Sequence, residues 1–245
     1  MEKELKPMCA KCVTRICNPH NKIGTEPPSI EEAPAVCPMK LNPDVINKAV
    51  AEYERKDIKE FARLASIQEA QCYEWVPTGV QDRLGIRTKI PRVEETIQFA
   101  HKMGYHKIGI AFCIGLGNEA RILDKMLENH GFQVVSVNCK VGRVDKEKIG
   151  VKRKEMIGGP KGTLYYESMC NPIAQAEILN SEGVDLAILL GLCVGHDSQF
   201  IRYCKVPMTV LAVKDRVFGH NPVAALYLSA TPYYGRLMTN PAEKS

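Results

Sequence analysis

From residue 107 onward, short apolar runs alternate with helical patterns, and this alternation limits the fold more than any other feature of the chain. Lys107–Phe112, Gln133–Asn138, Leu186–Leu190 and residues 207–212 read as strands. Helical patterns fill 118–130, 172–182 and 197–204, with Gly131 and Gly183 as stops. Strands that alternate with helices form a parallel sheet covered on both faces. The expected fold class is therefore α/β, with a mostly parallel Rossmann-like sheet and helices on both faces. A small N-terminal four-cysteine metal module and a helical segment complete it. The expected divisions are 1–40 for the module, 41–104 for the helical segment and 105–245 for the α/β domain.

Within 41–104, Asn42-Pro43 suits a helix start. A second helix is expected from Asp57, with Ile58, Phe61, Ala65 and Cys72 on one face, and Trp75-Val76-Pro77-Thr78-Gly79 ends it. A third covers 91–103, stopped by Gly104.

The chain has 245 residues, a net charge of +5 and ten cysteines. The mild charge permits anionic ligands but gives no concentrated basic face for nucleic acid. No apolar run is long enough for a membrane helix, and the charged start Met1-Glu2-Lys3-Glu4-Leu5-Lys6 has no signal-peptide core. A cytoplasmic location is expected. There, clustered cysteines serve as metal ligands or reactive thiols rather than disulfides.

Residues 1–40 are rich in Cys and Pro and poor in apolar residues, so metal binding would supply the free energy that orders them. Cys9-x2-Cys12-x4-Cys17 is followed, after nineteen residues, by Cys37-Pro38. Four thiolates complete a tetrahedral zinc site or hold a cubane cluster. Structural zinc usually pairs two short knuckles, and only one such pair is present, which favours a 4Fe-4S cluster with zinc as the alternative. His20 is close enough in sequence to substitute as a ligand.

Cys113, Cys139, Cys170 and Cys193 all fall where the chain leaves a strand or enters a helix. In a parallel sheet such points share one edge, where ligands bind, and helix N-termini there favour thiolates. Cys113, Cys170 and Cys193 make a three-cysteine set with an open fourth position, suited to a second cluster. His196 and Asp197 stand beside it as candidate acid–base groups. Cys72 and Cys204 suit apolar helix faces.

Gly115-x-Gly117-x-x-Ala120 follows the first strand and opens a helix, the context of a dinucleotide fingerprint. The next strand ends in Asn138-Cys139-Lys140 rather than an acid, which disfavours NAD and leaves NADP open. Residues 140–162 form a long basic connection, interrupted by Gly158-Gly159-Pro160, that suits a lid over an anionic ligand. The Walker, nucleophile-elbow, His-Glu-x-x-His and corrinoid-binding patterns are absent from the sequence.

The N-terminal motif resembles the small iron–sulfur domain of the Rnf B subunit and of corrinoid iron–sulfur proteins, with a longer final gap here. The wider set is Arg92-Val93-Glu94-Glu95, Ile108-Gly109-Ile110-Ala111-Phe112-Cys113, Cys170-Asn171-Pro172-Ile173-Ala174-Gln175 and Gly191-Leu192-Cys193-Val194-Gly195-His196-Asp197. It resembles an uncharacterised family of cysteine-rich "metal-binding" proteins of anaerobic bacteria and archaea. That resemblance implies metal binding and no particular reaction. The expectation is an iron–sulfur protein with one or two clusters, a thiolate-lined site for a small anionic molecule, and a redox partner protein. Reductive or sulfur-transfer chemistry fits it. A non-enzymatic metal or electron carrier and an NADP-dependent oxidoreductase are the alternatives.

Overall fold

The structure is a computed structural model that describes residues 5–18, 26–79, 84–158 and 166–239. His20 and the Gly159-Pro160 end of the basic connection lie outside the described residues. The chain divides into two compact units, Met1–Ile67 and Gln68–Ser245.

The first unit starts with a short turn, Cys9–Lys11, and continues through α1 (Pro38–Leu41), α2 (Pro43–Glu52) and most of α3 (Lys56–Gln71). Proline at the first helical position starts both α1 and α2, where its missing N–H costs nothing. Asn42 precedes α2 without a side-chain cap bond. A capping box at Ser29 and Glu32, with bonds of 3.2 and 3.0 Å, orders the segment before Cys37.

The second unit begins with a hairpin of β1 (Tyr73–Pro77) and β2 (Leu84–Thr88), paired antiparallel. This replaces the plain helix stop expected at Trp75–Gly79. Then come α4 (Arg92–Lys102), β3 (Lys107–Phe112), α5 (Gly117–Asn129), β4 (Gln133–Asn138), α6 (Pro172–Ser181), β5 (Leu186–Leu190), α7 (His196–Tyr203), β6 (Met208–Ala212) and α8 (Val223–Tyr227). Strands β3 to β6 form an α/β sheet, all parallel, in the order β4-β3-β5-β6. Among the described residues no helix is long and apolar enough to cross a membrane.

Alternate residues of each strand face opposite sides, and both sides are apolar. Ile108, Ile110, Leu186, Ile188 and Leu190 meet Ile97 and Ala100 of α4 and Leu123 and Leu127 of α5. Ala111, Ala187 and Leu189 meet Ala176 and Leu179 of α6 and Phe200 of α7. Burial on both faces explains why β5 reads as an unbroken apolar run. From β3 the chain steps to β4 on one side and later to β5 on the other. The strand order therefore reverses between β3 and β5, where α/β sheets open a crevice at their carboxyl ends.

Candidate functional site

The register of β3 against β4 pairs Phe112 with Asn138. One step further brings Cys113 beside Cys139. The ladder continues there, since the Cys139 N–H donates to the Phe112 carbonyl at 2.9 Å and the Cys113 N–H to the Leu190 carbonyl at 3.1 Å. Neighbouring strands lie about 4.8 Å apart, so the two cysteines sit as close as a sheet allows. Cys170 arrives from the other end of the long connection. The Asn171 N–H donates to the Cys139 carbonyl at 2.7 Å, and the Asn171 side chain caps α6 through the Ala174 N–H at 3.1 Å.

Three cysteines thus gather at the sheet edge, with Cys139 between Cys113 and Cys170 and within interaction reach of each. Cys139 is 1% exposed, whereas Cys113 and Cys170 are half-buried. The Ile114 N–H also donates to Cys139 Sγ, at 3.3 Å. Gln175, fully buried in α6, ties the two strand ends together just before the cysteines. Its Nε2 donates to the Phe112 carbonyl at 3.1 Å and to the Val137 carbonyl at 2.7 Å. Its Oε1 is buried and has no partner among the described residues.

Cations surround this group. Lys140 Nζ lies 3.5 Å from Cys170 Sγ and 2.6 Å from the Ser168 carbonyl. The Lys214 ammonium acts on Cys113 from beyond β6. Arg216 donates to Cys193 Sγ at 3.1 Å and lies within electrostatic reach of Cys113 and Cys170. The hydrogen bond from Cys139 lowers Cys113 to about 5, against the penalty of burial, with help from the Gly115 backbone and Lys214. An alternative interaction with Cys139, together with Lys140 and His196, lowers Cys170 to about 5. Cys139 is pushed up by its two anionic neighbours and by burial, so it keeps the proton they share. Cys72 and Cys204 behave differently: each donates to a backbone carbonyl, and burial raises both thiols.

A cavity of about 360 Å³ opens beside Cys170. Asn171, His196 and Gln199 give it polar groups, and Met169, Ile173 and Val194 are among its apolar walls. Its volume falls in the range of small-molecule sites. His196 begins α7 and reaches the cavity. The Asp197 carboxylate instead accepts from the Ser198 N–H at 2.7 Å, at the start of its own helix. The turn between β5 and α7 needs left-handed backbone at Gly191 and Gly195, with φ of +71° and +86°.

Gly115 and Gly117 flank Leu116, which is 3% exposed. A Cβ on Gly191 would lie 1.9 Å from Leu116 Cδ1, so this leucine fills the gap between the ends of β3 and β5. Of the basic connection, Lys146 is paired with Glu167, and Arg153 with Asp145 at 3.3 Å and Glu147 at 2.8 Å. Among the described residues of the connection, Lys140 is the one that touches a cysteine.

In the first unit, Cys9, Cys12, Cys17 and Cys37 line a single cavity of about 100 Å³, walled by Met8, Ile16, Pro34, Val36, Pro38 and Met39. The Met8 N–H donates to the Val36 carbonyl at 3.2 Å and brings the first pair of cysteines to Cys37. The Thr14 hydroxyl and the Arg15 N–H lower the Cys12 thiol. Among the described residues no three acidic, His or Cys side chains already converge as ligands of one ion.

The fold and these sites define a parallel α/β protein with cysteines gathered at the carboxyl edge of its sheet and a separate four-cysteine unit. The chain belongs to the family described as protein of unknown function (DUF1847), whose profile matches residues 37–211. It is 45% identical over 191 residues to the uncharacterized protein MJ0455 of Methanocaldococcus jannaschii, covering 78% of this chain and 86% of that one. The matched range includes Cys113, Cys139, Cys170 and Cys193 and begins at Cys37, after the first three cysteines.

Proposed function

We propose that this is a metal-binding redox protein. The first unit holds an iron–sulfur cluster on Cys9, Cys12, Cys17 and Cys37. The second unit performs reductive or sulfur-transfer chemistry on a small anionic molecule at the Cys113, Cys139, Cys170 and Cys193 edge. The observation that supports the metal reading most is that Cys9, Cys12 and Cys17 line one cavity with Cys37, which is twenty residues further along the chain. The donor set fits: soft thiolates select iron–sulfur clusters or zinc over hard cations, and the walls between them are apolar. The cysteines must close inward on the metal, so binding and ordering of this unit are one event. A bound cluster would supply one-electron transfer. The chain's own cysteines would hold it, and the Thr14 hydroxyl and Arg15 N–H favour the Cys12 thiolate.

Anaerobic purification followed by iron, zinc and sulfide analysis and a visible spectrum tests the reading. About four irons per chain, lost in Cys12→Ser, support one cluster. About eight irons, partly lost in Cys193→Ala, support a second on the sheet edge. A single zinc without colour sinks the redox reading and leaves the non-enzymatic metal carrier.

A further inference from the structure

We propose that the second unit is a thiol–disulfide exchange site for small anionic organic disulfides, in which Cys170 attacks the substrate and buried Cys139 resolves the mixed disulfide. The inference rests on the reading of this unit as a reductive site and specifies its chemistry. Three observations carry it.

Cys170 is the cysteine of the group that lines the cavity, so a ligand there meets its sulfur. Cys139 is held beside Cys170 by the Asn171 N–H on its carbonyl at 2.7 Å and by its neighbour Lys140, whose Nζ lies 3.5 Å from Cys170 Sγ, yet it is 1% exposed and so is shielded from direct attack on bulk substrate. The cations Lys140 and Arg216 act on Cys170, and Lys214 on its neighbour Cys113, which favours anionic substrate. Among polar side chains of the cavity, Asn171 and Gln199 offer neutral hydrogen bonds and His196 a further donor.

The chemistry balances without a further reagent. The Cys170 thiolate attacks one sulfur of R–S–S–R. A Cys170–S–S–R bond forms, the substrate S–S bond breaks and RS⁻ leaves. Cys139 then attacks Cys170 Sγ. A Cys139–Cys170 disulfide forms, the second R–S leaves, and the Cys139 proton goes with it as RSH. The substrate gains two electrons and the dithiol loses them. As the proton departs, the Ile114 N–H, already aimed at Cys139 Sγ at 3.3 Å, stabilises the growing negative charge. Cys113, on the other side of Cys139, is left reduced.

The test uses the full-length reduced protein and glutathione disulfide as the probe, with peptide mapping by mass spectrometry. With one equivalent of glutathione disulfide per chain, the wild type should release two glutathiones and yield Cys139–Cys170 as the first disulfide. Cys139→Ser should stop at one glutathione, trapped on Cys170, and Cys170→Ser should slow release at least about tenfold. Cystamine, a cationic disulfide, should react about tenfold more slowly than glutathione disulfide, with the difference shrinking in high salt. A first disulfide that excludes Cys170, or mixed disulfide trapped chiefly elsewhere, overturns the proposal. The wild-type map needs no variant, so a misfolded substitution leaves the test intact. Metal content measured on the same sample separates the two readings. Exchange without metal removes only the cluster on the first unit, and metal without exchange removes only this proposal.

Discussion

Replacing Gly191 by alanine tests the packing that shapes the sheet edge. Gly191 has φ of +71°, and a Cβ there would stand 1.9 Å from Leu116 Cδ1. Two costs add. A left-handed backbone with a side chain costs about 1–2 kcal/mol. Overpacking against a buried leucine costs about 1–3 kcal/mol more. The expected loss is therefore about 2–5 kcal/mol, read by denaturant unfolding followed by circular dichroism. The two parts can be separated. Leu116→Ala frees the space, so a double-mutant cycle should show about 1–3 kcal/mol of coupling, while the backbone part persists. A loss below about 1 kcal/mol for Gly191→Ala alone, or no coupling to Leu116, would refute the contact as the reason for this glycine.

Other outcomes follow from the same geometry. Alkylation of Cys170 by iodoacetamide should remain fast as pH falls from 9 towards 6, because Cys139, Lys140 and His196 hold it as thiolate down to about 5. Lys140→Ala should shift that profile upward. Gln175→Ala should cost about 1–3 kcal/mol, since it removes two buried hydrogen bonds that brace the strand ends while the Phe112 carbonyl keeps the Cys139 N–H as a donor, and should speed amide exchange at Cys113 and Cys139. Asp185 accepts the His106 and Lys107 N–H groups at 2.7 and 2.8 Å, which lowers its carboxyl. Its stabilising contribution is present above the unfolded carboxylate value near ~3.9 and is lost as pH falls through its lower folded value. Asp185→Asn should flatten that part of an acid-unfolding curve.

Much of the sheet was legible because Leu186–Leu190 and Lys107–Phe112 are buried on both faces, which leaves uninterrupted apolar runs. The β1–β2 hairpin was not. Trp75, Leu84 and Ile86 alternate as a strand requires, but they point outward, at 60% exposure or more, and Pro77 and Gly79 look like a helix stop. The strand-end rule found Cys113, Cys139, Cys170 and Cys193, but the three-cysteine set drawn from them left Cys139 out. Its central place comes from the Phe112–Asn138 register, a property of pairing that no local pattern displays. Lys214 and Arg216 lie beyond β6, where nothing in the sequence links them to cysteines on other strands. Gln175 carried no signal of its own, since α6 also holds Glu177, Asn180 and Ser181.

The clasp between the Cys139 carbonyl and the Asn171 N–H has a consequence for how such chains vary. It pins together the two ends of a connection whose flanking residues, Lys140 and Cys170, are 30 positions apart. Chain inserted or removed between those ends leaves the cysteines where they are. Doubling the loop costs only about 0.6 kcal/mol in closure entropy. The connection is thus a natural graft point, where length and charge can be exchanged to change what enters the cavity while the sulfurs stay in register.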